Sequence, residues 1–255
     1  MPIKSDKYRI HPIPISTNEN FPRASLHWLL PVPLDQKIRV CHYAWYIEGP
    51  GENYLVDTGV PAEMLIARNF TSTNIQTVEA GLQKLGLAID DIDYVIITHS
   101  HYDHSANLYK FANTKAKVII QQAELDQIKH PFAYTKPRLP RNFTQLFDGI
   151  NFEVVNGDTK IDDNLELIFT PGHSAGGQSV AVNTEQGKAV ITGWCCTQEN
   201  FSPPSEFVEK GFPFTIGASH TNPGELYDST KRIIELADLI LPCHEYDSLI
   251  DRAVI

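Results

Sequence analysis

The sequence is short of positive charge: 21 Lys and Arg stand against 31 Asp and Glu, a formal net charge of −10. The average field therefore repels phosphate backbones and anionic lipid, which argues against nucleic acid and membrane surfaces as partners. Long apolar runs are also missing. Pro, His or a charged residue interrupts each one well below membrane-spanning length, and the opening MPIKSDKYRI holds no apolar stretch of signal-peptide length. There is no low-complexity tract and no internal repeat, and 42% hydrophobic with 20% charged residues is an ordinary folded composition. Cysteines are few. Cys41, Cys195, Cys196 and Cys243 form no C-x-x-C pair and are spaced unlike a disulfide framework, so reduced thiols and a cytoplasmic location are expected.

What is present reads as strands alternating with helices. Residues 11–35 carry Pro12, Pro14, Pro22, Pro31 and Pro33 with Phe21, His27 and Trp28 between them, which predicts an irregular, aromatic-bearing loop at the border of a pocket. Two strand-like runs, 40–47 and 53–56, flank Gly49-Pro50-Gly51 as a hairpin, and the second ends in Asp57-Thr58-Gly59. Val78, Leu82 and Leu85 recur at helical spacing before Gly86. Residues 94–97 read as a strand buried on both faces, 105–112 as a helix, 116–120 as a strand, and 123–128 as a helix stopped before Pro131. Residues 130–150 hold Phe132, Tyr134, Phe143 and Phe147 with Lys136, Arg138 and Arg141, without a clean period. That composition suits either a cap over a site or a surface loop. A second half opens with strands at 152–155, 165–170, 178–182 and 189–192, then a helix at 225–237 and a last short strand at 238–241. Two β-rich halves closed by helices, with no linker between them, predict an α/β fold, a four-layer αββα sandwich, as one domain over residues 1–255.

Chemistry concentrates in His99-x-His101-x-Asp103-His104, where strand 94–97 ends. Imidazole and carboxylate donors suit zinc, iron or manganese. On an extended segment His99 and His101 point the same way and can share one metal, while Asp103 and His104 beyond the bend can reach a second. A lone histidine here would read as a polar loop residue; three with an aspartate at a strand end read as ligands. His173, in TPGHSAGG after Thr170, and His244, in LPCHE after Leu241, have the same placement. All six donors are thus expected on one edge of the sheets.

With Asp57-Thr58-Gly59 after an early strand, these motifs resemble the metallo-β-lactamase superfamily and, within it, the N-acyl homoserine lactonase family. The cysteine-bearing strand before LVDTG, then LGLAIDDIDYVIITHSHYDH, QQAELD and ELIFTPGHSAGGQSV, fall in matching order over nearly the whole length. The H-x-H-x-D-H core is specific for the superfamily and weakly specific for substrate. The resemblance implies that His99, His101 and His173 hold a first metal and Asp103, His104 and His244 a second, with water or hydroxide between them. Zinc is the metal expected, one or two ions per chain, with iron or manganese as alternatives. The implied reaction is attack of metal-activated water on the ester-type carbonyl of a small molecule, a lactone first, with Asp103 as the catalytic residue that holds or relays a proton. Asp57 is implied to support the ligands from behind. A homodimer is the assembly left open.

The chain departs from the family after residues 189–192. Where most members carry a bridging aspartate, this sequence has Gly193, Trp194, Cys195 and Cys196, with no carboxylate before Glu199. Three readings stand: Cys195 or Cys196 supplies a thiolate, only one of them facing the metals; His220 or Glu199 substitutes; or the second metal is held weakly or not at all. Packing is the competing role for both cysteines, and Cys243 is expected to face the core. The tyrosine that the lactonases carry shortly after the aspartate is absent too, Cys196 or Thr197 lying there. Trp194 and His220 are candidates to line the substrate pocket, against core packing and a helix-entry loop. Two other activities use the same fold: a thioester hydrolase of glyoxalase II type, which favours a basic patch, and an iron-containing redox protein, in which a glutamate would replace His101. A non-catalytic scaffold is opposed by the six retained donors.

Overall fold

Side chains alternate across a strand, and in β2 (Lys37–Glu48) this sorts the residues into two layers. Cys41, Tyr43, Trp45 and Ile47 enter one apolar cluster, Ala44 and Tyr46 another. The computed structural model describes residues 7–131, 133, 136–139, 147–252 and 254–255. In it β1 (Arg9–Pro22), β2, β3 (Asn53–Val56), β4 (Ser72–Asn74), β5 (Tyr94–Ile96), β6 (Lys117–Gln121) and β7 (Asn151–Val155) form one sheet in the order β4-β1-β2-β3-β5-β6-β7. A second sheet runs β12-β11-β10-β9-β8, built from β8 (Thr159–Lys160), β9 (Leu165–Phe169), β10 (Gln178–Thr184), β11 (Gly187–Ile191) and β12 (Leu239–Leu241).

The same alternation builds three cores. Trp45, Val56, Ile96 and Ile119 of the first sheet meet Leu167, Val180, Ile191 and Leu241 of the second. On the outer face of the first sheet, Leu55, Val95 and Val118 pack with Val78 and Leu82 of α2 (Val78–Lys84) and with Leu108 and Phe111 of a 3₁₀ turn. On the outer face of the second, Ile168, Ala181 and Val190 pack with Leu226 and Ile233 of a helix at Pro223–Leu236. The result is the expected αββα sandwich. Shorter helices are α1 (Ala62–Ile66), α3 (Tyr102–Ser105), α4 (Gln122–Lys129), α5 (Gln198–Phe201) and α6 (Ser205–Val208), which makes the long Pro223–Leu236 helix α7. No helix of the described residues is long and apolar enough to cross a membrane.

Three local expectations change. Residues 11–22 are not loop but most of β1, because β4 pairs only with Ser16–Asn18 and leaves Pro12 and Pro14 along an open edge, where a missing N–H breaks no ladder. The strand expected to open the second half is β7, which instead pairs in parallel with β6 and closes the first sheet. Residues 105–112 are not one helix; α3 ends at Ser105 and the 3₁₀ turn follows at Leu108–Phe111. Of the segment 130–150, read as a cap or a surface loop, Phe132, Tyr134, Arg141 and Phe143 lie outside the described residues.

Parallel pairing of β3, β5 and β6, and of β11 with β12, brings their carboxyl ends to common edges. Gln178 joins the sheets there, its backbone N–H donating to Thr98 O and its Nε2 to Ile97 O.

Candidate metal centre

Each donor loop is held by backbone groups and buried polar side chains. Asp57 takes a left-handed conformation, φ 55°, which a short polar residue tolerates better than most. Its carboxylate accepts from Thr98 N at 2.8 Å, from Thr98 Oγ1 at 2.7 Å, and from His104 Nδ1 at 2.7 Å. His101 precedes α3, so the chain bends there and sends Asp103 and His104 away from the extended His99–His101 segment. Glu124 on α4, fully buried, ties two loops together. One oxygen accepts from Ser100 N and Oγ, between His99 and His101, and the other from Gly176 N at 3.0 Å, three residues after His173. Gly172 sets the second loop against α7: a Cβ there would lie 2.2 Å from Leu226 N, and φ is +120°.

The imidazoles converge. Ring centroids of His99 lie 4.5, 4.0 and 4.7 Å from those of His101, His104 and His173, and His104 lies 5.2 Å from His244. His101 Nδ1 and His173 Nε2 are 3.0 Å apart, close to the ~3.3 Å edge of a tetrahedron with zinc–nitrogen bonds of about 2.0–2.1 Å. Asp103 Oδ2 lies 3.3 Å from His244 Nε2 and 3.6 Å from His104 Nε2, with its side chain 19% exposed.

Nδ1 is engaged on four of the rings, while His101 Nδ1 turns to His173 Nε2. Nδ1 of His104 faces Asp57, Nδ1 of His173 faces Ser219 O, Nδ1 of His244 faces Cys41 O, and Nδ1 of His99 faces Thr98 Oγ1. Such contacts fix a tautomer whose Nε2 carries the lone pair. Nε2 of His99, His101 and His104 is buried without a hydrogen-bond partner. Three unpaired buried nitrogens beside one another are costly unless a cation occupies the space, so the residues fit a metal. Groups whose donor atoms all lie within 4.8 Å of one another include His99–His101–His173, His99–Asp103–His104, His42–Asp103–His244 and His104–Cys243–His244.

Electrostatics follow burial first. Burial pushes His173 and His42 down to about 3 and lowers His99 and His101 well below the usual range, leaving neutral donors. Burial opposes charge on His104 too, but the Asp57 and Asp103 carboxylates outweigh it and hold its pKa well above the usual range. Asp103 would be raised by burial, yet His104 and then His244 hold it well below the ordinary carboxylate range. A cation would displace the His104 proton.

His99, His101, Asp103, His104, His173 and His244 are thus brought together, with Asp57 directly behind His104. The other candidates are not. Cys196 is fully buried in the core under α7, 3.1 Å from Thr192 Oγ1, and Trp194 is 1% exposed in the same core, so neither lines a pocket. Cys195 belongs to none of the donor groups found among the described residues. Glu199 is engaged by Arg23 and His27. The His220 ring stands edge-on to Trp28 at 5.2 Å, with Nδ1 on Gly217 O. Cys243, expected in the core, instead holds its sulfur beside His104 and His244, because the β12 loop turns it toward Trp194 O. Sequence reasoning passed over His42, whose signal was a polar residue between the core-facing Cys41 and Tyr43, and Glu124, an acid just after a buried strand.

Comparison with known proteins agrees with this geometry. Residues 41–193 match the model of the metallo-beta-lactamase superfamily. The N-acyl homoserine lactonase of Bacillus cereus is 30% identical over 193 residues, 70% of this chain and 72% of that protein. A solved quorum-quenching N-acyl homoserine lactone lactonase superposes with a TM-score of 0.75 at 24% identity, covering 98% of both chains. An N-acyl homoserine lactone hydrolase, with the product N-hexanoyl-L-homoserine bound at its catalytic metal center, superposes with a TM-score of 0.71 at 23% identity over 94% of both.

Proposed function

We propose that this chain, which belongs to the metallo-beta-lactamase superfamily, is a metal-dependent hydrolase of ester-type carbonyl bonds, with lactones as its substrate class, and that residues 1–255 act as one domain. The observation that carries the reading is the convergence of buried imidazoles, with Nδ1 of His104 and His173 hydrogen-bonded and Nε2 of His99, His101 and His104 left without a partner. His99, His101 and His173 would hold one divalent cation, and Asp103, His104 and His244 donate toward a second; their nitrogen and oxygen donors favour zinc. When bound, the metal supplies Lewis-acid polarisation of the carbonyl and acidifies water.

The chain's own groups do the rest. Asp57 keeps His104 Nε2 free, and Ser219 O does the same for His173. The partly exposed Asp103 carboxylate takes the proton released by the attacking water and returns it to the ring oxygen as the lactone opens. Ring opening leaves a carboxylic acid that releases the second water proton to solvent and becomes a carboxylate; Arg138, which donates to Ser219 Oγ next to the His173 contact, supplies a cation for it. A pocket of about 440 Å³ lined by Trp28, Leu30, Phe212, Phe214 and Tyr227 adjoins His220 and supports a substrate with an apolar portion.

The test is a pH-indicator assay of zinc-loaded protein on lactones, linear esters and thioesters. Lactone turnover that disappears in His101→Ala is expected. Turnover that persists in that variant, or after chelation, refutes the metal-dependent reading, and preference for thioesters refutes the substrate class.

A further inference from the structure

One buried histidine has no place in the six-donor scheme. His42 is 4% exposed, and neither ring nitrogen has a hydrogen-bond partner. A neutral buried imidazole carries one N–H and one lone pair, and leaving both without partners is unfavourable. Its position is fixed by two bonds between β2 and the loop after β12: Cys41 N donates to His244 O at 3.3 Å, and His244 Nδ1 donates to Cys41 O at 3.2 Å. The next residue on β2 is thereby set against His244, the two rings standing edge to face at 5.0 Å and 84°. Asp103 comes from α3, which packs on β2. A donor nitrogen of His42, a carboxylate oxygen of Asp103 and a nitrogen of His244 all lie within 4.8 Å of one another.

We propose that His42 is a metal ligand, and that the second cation of this chain, toward which Asp103, His104 and His244 donate, takes His42 with Asp103 and His244 rather than a carboxylate shared between two ions. The proposal rests on the metal-centre reading above. It accounts for a chain that has Gly193, Trp194, Cys195 and Cys196 where a shared carboxylate was expected. Of the other side chains nearby, Cys196 lies in the core under α7, and the Cys243 sulfur donates to Trp194 O at 2.6 Å. His42 is the donor left without a partner among these, and a neutral nitrogen there removes one negative charge from the site relative to a carboxylate.

Zinc content and competitive chelator titration of the full chain test the assignment. Wild type is expected to bind two zinc ions. His42→Asn should keep the tighter one and weaken the other by more than the roughly 10–100-fold cost of losing a group behind a ligand, while His42→Cys restores it; His101→Ala should weaken the first ion instead. Should His42→Asn fail to fold, wild type labelled with ¹⁵N-histidine gives the answer: His42 ring nitrogens shift with the second zinc equivalent and not with the first. A wild type that binds one ion, a His42→Asn chain that binds both as wild type does, or unshifted His42 nitrogens each overturn the His42 site while lactone hydrolysis can still stand. Failure of the underlying reading looks different, with no zinc bound and His101→Ala without effect.

Discussion

Replacing Glu124 by glutamine probes the clamp between the two loops that carry His99, His101 and His173. In wild type one carboxylate oxygen accepts from Ser100 N at 2.8 Å and Ser100 Oγ at 2.5 Å, and the other accepts from Gly176 N at 3.0 Å. Glutamine keeps the first oxygen but puts an NH₂ against the Gly176 N–H, so two donors face each other in a fully buried place. One charge-assisted hydrogen bond is lost and one buried donor is left unsatisfied, a cost of about 2–3 kcal/mol. For a chain of this size that lowers the melting temperature by roughly 5–10 °C. Because the clamp sits behind ligands, the tighter zinc should also bind about 10–100-fold more weakly. Calorimetric melts and chelator competition read both effects. Glu124→Ala, which orphans all three donors, should be worse in each. An unchanged melting temperature, or a destabilised variant with wild-type zinc affinity, refutes the clamp.

Further outcomes follow from the same geometry. Gly172→Ala places a Cβ 2.2 Å from Leu226 N at φ +120°, so it should cost several kcal/mol, on the order of 3, and weaken the first metal; urea melts with metal analysis check it. Chelation should lower the melting temperature of zinc-loaded protein by roughly 8–16 °C if zinc stands about 1,000-fold above its Kd, and equal melts with and without chelator oppose a structural contribution from metal. In metal-free protein burial holds His42 and His173 at about 3, below the ~6.5 of an unfolded histidine. The unfolded chain then binds protons that the folded chain refuses, so the contribution of these two histidines is full above pH ~6.5 and falls by roughly 1.4 kcal/mol per pH unit per histidine toward pH 3. His104 and His244, with raised pKa values, are protonated in both states below pH ~6.5 and change the slope only above it. Urea midpoints of chelated protein between about pH 6.5 and 5 should therefore fall with pH, and a flat profile contradicts it.

Four of the donors were readable because they are local. His99, His101, Asp103 and His104 lie within one turn of chain at the end of an unbroken β-branched strand, and the period of two in β2, β3, β5 and β9–β11 already separates the inner core from the outer ones. His42 was not readable in this way: it meets His244 across 202 residues of sequence, through pairing of β2 with the loop after β12. β1 was hidden by its prolines, which mark a loop unless the pairing shows that they line a free edge. β7 was assigned to the wrong sheet because a strand's pattern records burial and not its neighbour. Trp194 and Cys196 are apolar residues in a stretch that was read through the missing aspartate, and only the packing of α7 reveals that they close a core.

Gly193 stands at that same stretch with Gln178 O only 1.8 Å from where its Cβ would be built. Any side chain there must first push β10 and the segment after β11 apart, and Gln178 is the residue that fastens the two sheets at the donor edge. Installing an acid at 193 is therefore a rebuilding of the hinge line between the sheets and not a local edit. An evolutionary or engineered route from this chain to a carboxylate-linked pair of ions has to begin at a position other than 193.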